Sequence, residues 1–521
     1  MTATGTVVRA AVTARAGAET TTRTAIVTTF RSAAGAGVKI VAVGLVSLLM
    51  AACSAPAPPR VQASTAATTA CAPPAGPPRA ETATTIDVIE QAYLCILGNH
   101  HGGATLDART LLTAAFAALT RELDRNGHNV PRASMPALTG DRTTDWAAFE
   151  ATYRTITDHL PDQTTDQGSD RGSGLRDKLA TATLEALVAA LDDNHARWMH
   201  DLARPPDLYD GDDYGLGLQT NITTPQGTGD SSATGAALPP LFVTTVHGGA
   251  ARAAALRPGD IIESINGSAP FIDHHATPAL AALSPRYPEA RPVRLRLLRQ
   301  STGRRWSATL TPGVFQRDPA TLKVVRSHLI GDDIAYVRIA GFTPDAANRT
   351  FTALTRLRTG RTLTGLVLDL RGNDGGSPQE AIRLLSAFAR DAATAYQCTA
   401  DGTCRPLRTD DTVAPLNLPL TVLTDHGCAS ACEHFASAVK DLRLGTLIGT
   451  RTAGLVSGPA RPYRLSDNTT VSLPTTHHLG PNREVIDRIG IPPDHHTPLT
   501  PHDAATGHDP ALAKALTLLR T

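Results

Sequence analysis

LPLTVLTDHGCASACEHF, residues 418–435, is the stretch on which the fold turns. Pro419 to Leu423 is an apolar run of strand length that breaks at Asp425-His426-Gly427. Ala429-Ser430-Ala431-Cys432-Glu433-His434-Phe435 follows and leads into a helical segment, Ala436 to Leu442. A strand that turns sharply into a helix sets the first helical residues at the mouth of a sheet, where backbone N–H groups lack partners and favour negative charge. A serine there is presented as a nucleophile, with a place for an oxyanion beside it. The competing reading of Ser430 is an ordinary helix N-cap.

The chain has 521 residues, enough for two or three domains. A net charge of +1 and a charged fraction of 19% leave no basic surface that would argue for nucleic acid. Lys39 precedes an apolar run from Ile40 to Ala52, of the length and polarity of a secretory signal. That run is shorter than the about 20 residues a membrane span needs. Met50-Ala51-Ala52-Cys53 resembles a bacterial lipobox, which implies cleavage before Cys53, lipid on Cys53 and anchoring to the outer face of the cytoplasmic membrane. Residues 1–53 are thus leader and lipoprotein signal, and translation is expected to start at Val38. Residues 54–83, rich in Pro, Ala, Ser and Thr, form a linker that buries almost nothing.

Setting Cys53 aside, Cys71, Cys95, Cys398, Cys404, Cys428 and Cys432 allow fifteen pairings. Proximity favours 398–404 and leaves 71–95 and 428–432. The last pair flanks Ser430, and it fits a disulfide only if Cys428 lies in the turn before the helix begins.

Residues 84–200 carry a helical period. Ile86, Ile89, Tyr93 and Leu97 share one face, Leu106 to Leu123 reads as a second helix, and Leu175, Leu179, Leu187 and Leu191 share another face. Pro161 to Gly174 reads as a polar loop. Asp192-Asp193-Asn194 then stops the helix and puts His195 just beyond its end, where a helix-dipole partner is the plain reading. Residues 213–313 hold Tyr214-Gly215-Leu216-Gly217-Leu218, Leu241 to Val246, Leu256-Arg257-Pro258-Gly259-Asp260 and Ile265-Asn266-Gly267, closed by strands Val293 to Leu298 and Trp306 to Leu310. This order resembles a PDZ domain. The resemblance implies that the 214–218 loop offers backbone N–H groups to a peptide carboxylate and that the neighbouring strand edge accepts the peptide as an added strand.

From residue 320 to 521, strands such as Gly365 to Leu370 alternate with helices, the pattern of a sheet covered by helices. The whole is an α/β (α+β) multidomain chain: helical segment, PDZ-like β domain and α/β core. The strand at 365–370 feeds Arg371-Gly372-Asn373-Asp374-Gly375-Gly376 and then a helix from Glu380 to Phe388. No Gly-Lys-Ser/Thr follows, and the glycine spacing is wrong for a dinucleotide loop.

With Ile334 to Ile339, Phe342, the Leu368–Gly376 block, Ser430-Ala431-Cys432-Glu433 and Leu191–His195, residues 84–520 resemble the C-terminal processing proteases and their tricorn-core relatives. The resemblance implies a serine endopeptidase with Ser430 as nucleophile. The processing-protease branch pairs serine with a lysine, but Leu455 stands at that position, and Lys440 lies too far along the helix. The tricorn-core branch uses serine, histidine and a carboxylate. Its pattern selects His195 as general base and Asp487, three residues before Gly490-Ile491-Pro492-Pro493-Asp494, as the orienting acid. Asn194 is expected only in a supporting position. Oxyanion donors are expected at Ala431 and at Gly375 or Gly376.

His426, His434 and His477-His478 are the rival bases, and Glu484 is the rival acid. Substrates are peptide or protein chains, C-terminal tails included, with no metal and no cofactor. The alternative from a different class is a catalytically silent scaffold that binds peptides or hydrophobic ligands.

Overall fold

The computed structural model describes residues 71–74, 80–128, 134–158, 160, 174–200, 212–222, 239–285, 287, 290–317 and 322–520. The leader, Cys53 and residues 161–173, nearly all of the expected polar loop, lie outside the described residues. Among those described, no helix is long and apolar enough to cross a membrane.

The first part is four helices, Ile86–Asn99, Ala108–Arg125, Arg142–Thr157 and Leu175–Ala189. Asp107 and Asp141 cap the second and third by accepting from Arg109 and Thr144 N–H groups. Their apolar stripes meet around Ile89, Tyr93, Leu111, Leu112, Leu119, Phe149, Leu184 and Leu187, all fully or nearly fully buried. Into the same core come Tyr463, Leu465, Val471 and Leu473, from a hairpin far along the chain. That hairpin pairs Ala460–Arg464 with Thr470–Pro474, and the second strand also pairs with Arg197–Met199. The segment that follows His195 is thereby stitched to the last third of the chain, a pairing that local sequence does not announce.

The middle part opens on the strand Asp212–Gly215 and closes on Gly313–Gln316. These two pair in antiparallel register, Gly215 opposite Gly313, so the unit begins and ends at one place. Between them run an antiparallel sheet of Asp260–Ile265, Val293–Arg299 and Arg304–Leu310, and the pair Leu218–Thr220 with Val243–Val246. Leu216, Val243, Ile262, Leu295 and Leu297 form its core.

The last part is built on six strands in the order Val325–Ile330, Ile334–Ile339, Gly365–Asp369, Leu420–Thr424, Thr446–Gly449, His495–His496. The first pair is antiparallel and the rest are parallel. Both faces are covered, which is why Gly365–Asp369 and Leu420–Thr424 are buried at every position. Leu366, Leu368, Val422 and Leu447 point to one apolar layer with Phe435 and Val439. Val367, Leu423 and Ile448 point to the other, closed by Ala511 and Ala515 of the helix Pro510–Leu519. Cys71–Cys95, Cys398–Cys404 and Cys428–Cys432 are bonded.

Parallel neighbours end at the same edge, so the loops after Asp369, Thr424 and Gly449 emerge side by side at the carboxyl ends of the strands, where α/β sheets place their sites.

Candidate active site

The strand Leu420–Thr424 leads into Asp425, whose carboxylate accepts from the Gly372 and Gly427 N–H groups at 2.8 and 2.9 Å. The helix begins at Ala431, five residues before the apolar period alone suggests. Ser430 stands at the corner with φ 54° and ψ −119° and makes no side-chain capping bond, so the N-cap reading fails. A positive φ at a residue with a Cβ costs about 1–3 kcal/mol and persists only where the surroundings dictate it.

Here they do. The Ser430 N–H donates to the Leu455 carbonyl at 3.0 Å, Ala429 N–H to Asn373 at 3.0 Å, and Ala453 N–H to Cys428 at 2.9 Å. Cys428 lies in the turn, and its Cα stands 5.3 Å from that of Cys432, the arrangement that the disulfide required.

The glycine loop lies directly against the serine. A Cβ on Gly375, at φ +103°, would sit 2.7 Å from Ser430 Cβ and 2.9 Å from the Ala431 nitrogen. The N–H groups of Ala431 and Gly376 donate to no group among the described residues. The Gly375 N–H, by contrast, is committed to Asn373 Oδ1 at 2.9 Å. Gly375 is therefore a spacer against the nucleophile, and of the two glycines only Gly376 keeps an uncommitted donor.

His195 follows the fourth helix on a turn fixed by Asp193, whose Oδ1 accepts the His195 N–H at 2.9 Å. Its ring Nδ1 meets Asn194 Oδ1, while Asn194 Nδ2 donates to Asp487 Oδ1 at 2.7 Å. An ionised carboxylate can only accept, so the amide must turn its NH₂ to Asp487 and its oxygen to the imidazole. Nδ1 then holds the proton, and Nε2 keeps its lone pair. Sequence alone sets Asp487 against the imidazole with Asn194 outside. The structure sets Asn194 between them, its side-chain amide bonded to both. Burial lowers the His195 pKa, which favours the neutral ring. Burial raises Asp487, partly offset by the Asn194 bond.

Asp487 Oδ1 also accepts from Val456 N–H at 3.2 Å, next to the Leu455 carbonyl that holds Ser430. One short loop thus brackets the serine and the acid, with the Ser430 nitrogen within roughly 8.5 Å of Asp487 Oδ1. The Ser430 hydroxyl and the His195 ring share no hydrogen bond in this structure. Such contacts are commonly long in substrate-free sites and tighten on binding.

His434, Lys440 and Glu484 are engaged elsewhere. His434, 1% exposed, bonds Thr394 Oγ1 at 2.9 Å through Nε2 and packs edge-on to His478 at 5.2 Å; burial holds its pKa well below the ordinary value. Lys440 Nζ serves Pro492 O and Asp494, and Glu484 accepts from Ser437 Oγ and Asn482 N–H. His477 stacks near His101, and His426 lines a cavity described below.

Glu433, quoted in the motif but given no role by sequence, is fully buried. It accepts from Thr452 Oγ1 at 2.5 Å and from the Gly454 and Leu455 N–H groups at 2.6 and 2.7 Å. It clamps the loop that holds Ser430, and burial outweighs those donors and pushes its pKa up to about 7.

His100, His101 and Asp193 have ligand atoms close enough for a metal ion. Yet His100 Nδ1 accepts the Gly102 N–H at 3.1 Å, so Nε2 carries the proton and donates to Asp193 Oδ2 at 3.0 Å. His101 reaches the same oxygen at 3.2 Å. The cluster closes as a hydrogen-bond network behind the His195 turn. Burial works to raise Asp193, but the bonds from His100, His101 and the His195 N–H outweigh it and hold the carboxyl below the ordinary range.

In the middle part, Leu216 is buried in the core and contributes only its backbone. Gly217, at φ +80°, lets the chain pass within reach of Gly248, where a Cβ would meet the carbonyl at 2.1 Å. The Leu216 and Gly217 N–H groups donate to nothing among the described residues. Beside this loop, a cavity of about 860 Å³ opens between Leu218, Thr220 and Leu280 on one side and His426, Gly427 and Arg451 on the other. Ser430 does not line it, but Gly427, three residues before, does.

A serine at a strained strand-to-helix corner, uncommitted N–H groups beside it and a histidine with its tautomer fixed are the elements this candidate site offers. Residues 333–497 match the profile of peptidase family S41. A carboxyl-terminal-processing protease of Synechocystis sp. is 29% identical over 331 residues, 61% of this chain and 71% of that protein. The chloroplastic carboxyl-terminal-processing peptidase 2 of Arabidopsis thaliana is 29% identical over 272 residues, 50% of each chain. Among solved structures, a photosystem II D1 C-terminal processing protease aligns over 75% of this chain and 93% of its own, at 23% identity and a TM-score of 0.44. The chain spans half of the Arabidopsis relative it matches.

Proposed function

We propose that this protein is an exported, lipid-anchored serine endopeptidase that cuts peptide or protein chains. Ser430 is the nucleophile, His195 takes its proton through Nε2, and Asp487 acts on His195 through Asn194, which fixes the imidazole tautomer and passes on the carboxylate's field. Ala431 and Gly376 N–H groups receive the oxyanion, and the N-terminal dipole of the helix Ala431–Asp441 adds to them. The middle part is read as PDZ-like. Its 214–218 loop and the Leu218–Thr220 edge would capture a chain end, and the adjoining cavity would pass it toward Gly427. The lipobox at Met50–Cys53 supports anchoring outside the cytoplasmic membrane.

The observation that carries this reading is the conformation of Ser430: a non-glycine residue held at positive φ, with no capping bond to account for it. The test is a fluorophosphonate probe with mapping of the modified peptide. The expected result is a label on Ser430 in wild type and none in Ser430→Ala or, at comparable times, His195→Ala. A folded wild-type protein that takes no label would instead favour a silent peptide-binding scaffold, a reading that Leu455 in place of the family lysine also suits.

A further inference from the structure

We propose that the Cys428–Cys432 disulfide is a positioning element for the nucleophile, and that breaking this one bond switches hydrolysis off. The inference rests on the reading of Ser430 as nucleophile. The bond closes a ring over Ala429, Ser430 and Ala431, so the nucleophile and one oxyanion donor lie inside it. Ser430 in the middle of that ring holds the strained φ of 54°. Elsewhere the corner is held by hydrogen bonds to neighbouring loops, which yield when those loops move, whereas the disulfide is the covalent constraint on it.

Both cysteines are fully buried, and Cys432 Sγ packs 3.8 Å from the Leu370 carbonyl. Two thiols in contact need more room than a bonded pair. Both sulfurs sit in the fully buried core, and on the Ser430 side Gly375 leaves no space for even a methyl group, so the corner has little room to absorb the change. Reduction therefore pushes the corner toward a relaxed backbone and carries the hydroxyl and the Ala431 N–H off their common target. The Cys428 carbonyl also accepts the Ala453 N–H, so the displacement reaches the loop that holds Leu455 and Val456. The other two bonds have no such reach. Cys71–Cys95 joins the helical part, and Cys398–Cys404 closes a hairpin end where Cys404 is half-exposed.

The chemistry balances with a dithiol as reductant. The S–S bond breaks, each cysteine gains a hydrogen, and the dithiol closes to its own disulfide. The full chain carrying Cys398→Ser and Cys404→Ser is treated with dithiothreitol. Fluorophosphonate labelling of Ser430 and peptide hydrolysis are followed beside alkylation of Cys428 and Cys432 by mass spectrometry. Labelling and kcat should fall on the order of 10- to 100-fold as alkylation proceeds. KM should stay within about twofold, the acid limb of the pH profile should not move, and reoxidation should restore the rate. A folded Cys428→Ser/Cys432→Ser variant should show the same low rate and no response to the dithiol. Wild-type rates in the reduced protein or in that variant overturn the proposal. So does global unfolding of the variant, which would make the bond a general staple. If the oxidised protein takes no label at all, it is the hydrolase reading that falls.

Discussion

Replacing Asn194 by alanine probes the least expected contact in the site. The change removes both links at once: the acceptor on His195 Nδ1 and the Nδ2 donor to Asp487 at 2.7 Å. A neutral hydrogen bond is worth about 0.5–1.5 kcal/mol and one to a charged group about 1.5–3, and the Nδ1 bond becomes of the second kind when the ring is protonated in the transition state. The loss of roughly 2–4 kcal/mol corresponds to a fall in kcat of about 30- to 900-fold. KM should hardly change, because the Asn194 amide is committed to His195 and Asp487 on both sides.

The pH profile supplies a second reading of the same variant. Burial is the main cause of the lowered His195 pKa, and a smaller residue admits water, so the acid limb should move up toward the ordinary 6.5. Asp487→Ala should shift that limb the other way, because the Asp487 charge works to raise His195. Stopped assays of peptide cleavage across pH 4.5–8.5 would measure both. An Asn194→Ala enzyme within about threefold of wild type, or limbs that shift in the same direction, would refute the bridge.

Gly375→Ala should cost about 2–4 kcal/mol of stability and most of the fluorophosphonate labelling, since the new Cβ meets Ser430 and the Ala431 nitrogen at positive φ; thermal melts and labelling rates check it. Glu433 has a folded pKa of about 7 against an ordinary 4.5, so the folded state binds the extra proton between those values. Stability should therefore decline by about 3 kcal/mol as pH rises through that window and level off above it, and urea titrations of wild type and Glu433→Gln should differ in this slope. Leu455→Lys in the His195→Ala background should recover labelling about tenfold, because the backbone of residue 455 already touches Ser430; no gain would place the side chain away from the hydroxyl.

The strand, corner and helix around Ser430 are legible in sequence because each is set by neighbours within a few residues. So are the glycine loop and the alternating strands of the core. The position of the helix start is not, since apolar period says nothing of Ala431 to Phe435, which are buried on all sides by the disulfide and the clamp of Glu433. The Asn194 bridge joins groups 293 residues apart, a pairing no local pattern signals. Gly375 reads as an oxyanion donor until the side chain of Asn373 is seen folding back on it. A polar residue two positions before a glycine is a weak hint of such a turn.

The hairpin Ala460–Pro474 carries a practical consequence for anyone who would divide this chain. Its Tyr463, Leu465, Val471 and Leu473 sit among the first helices and not with the sheet they follow. A polypeptide begun at the middle part would leave those four apolar side chains facing water and would lack the imidazole. The two ends share one core, and trimming from the front removes the proposed base His195 and the cover for the back in a single cut.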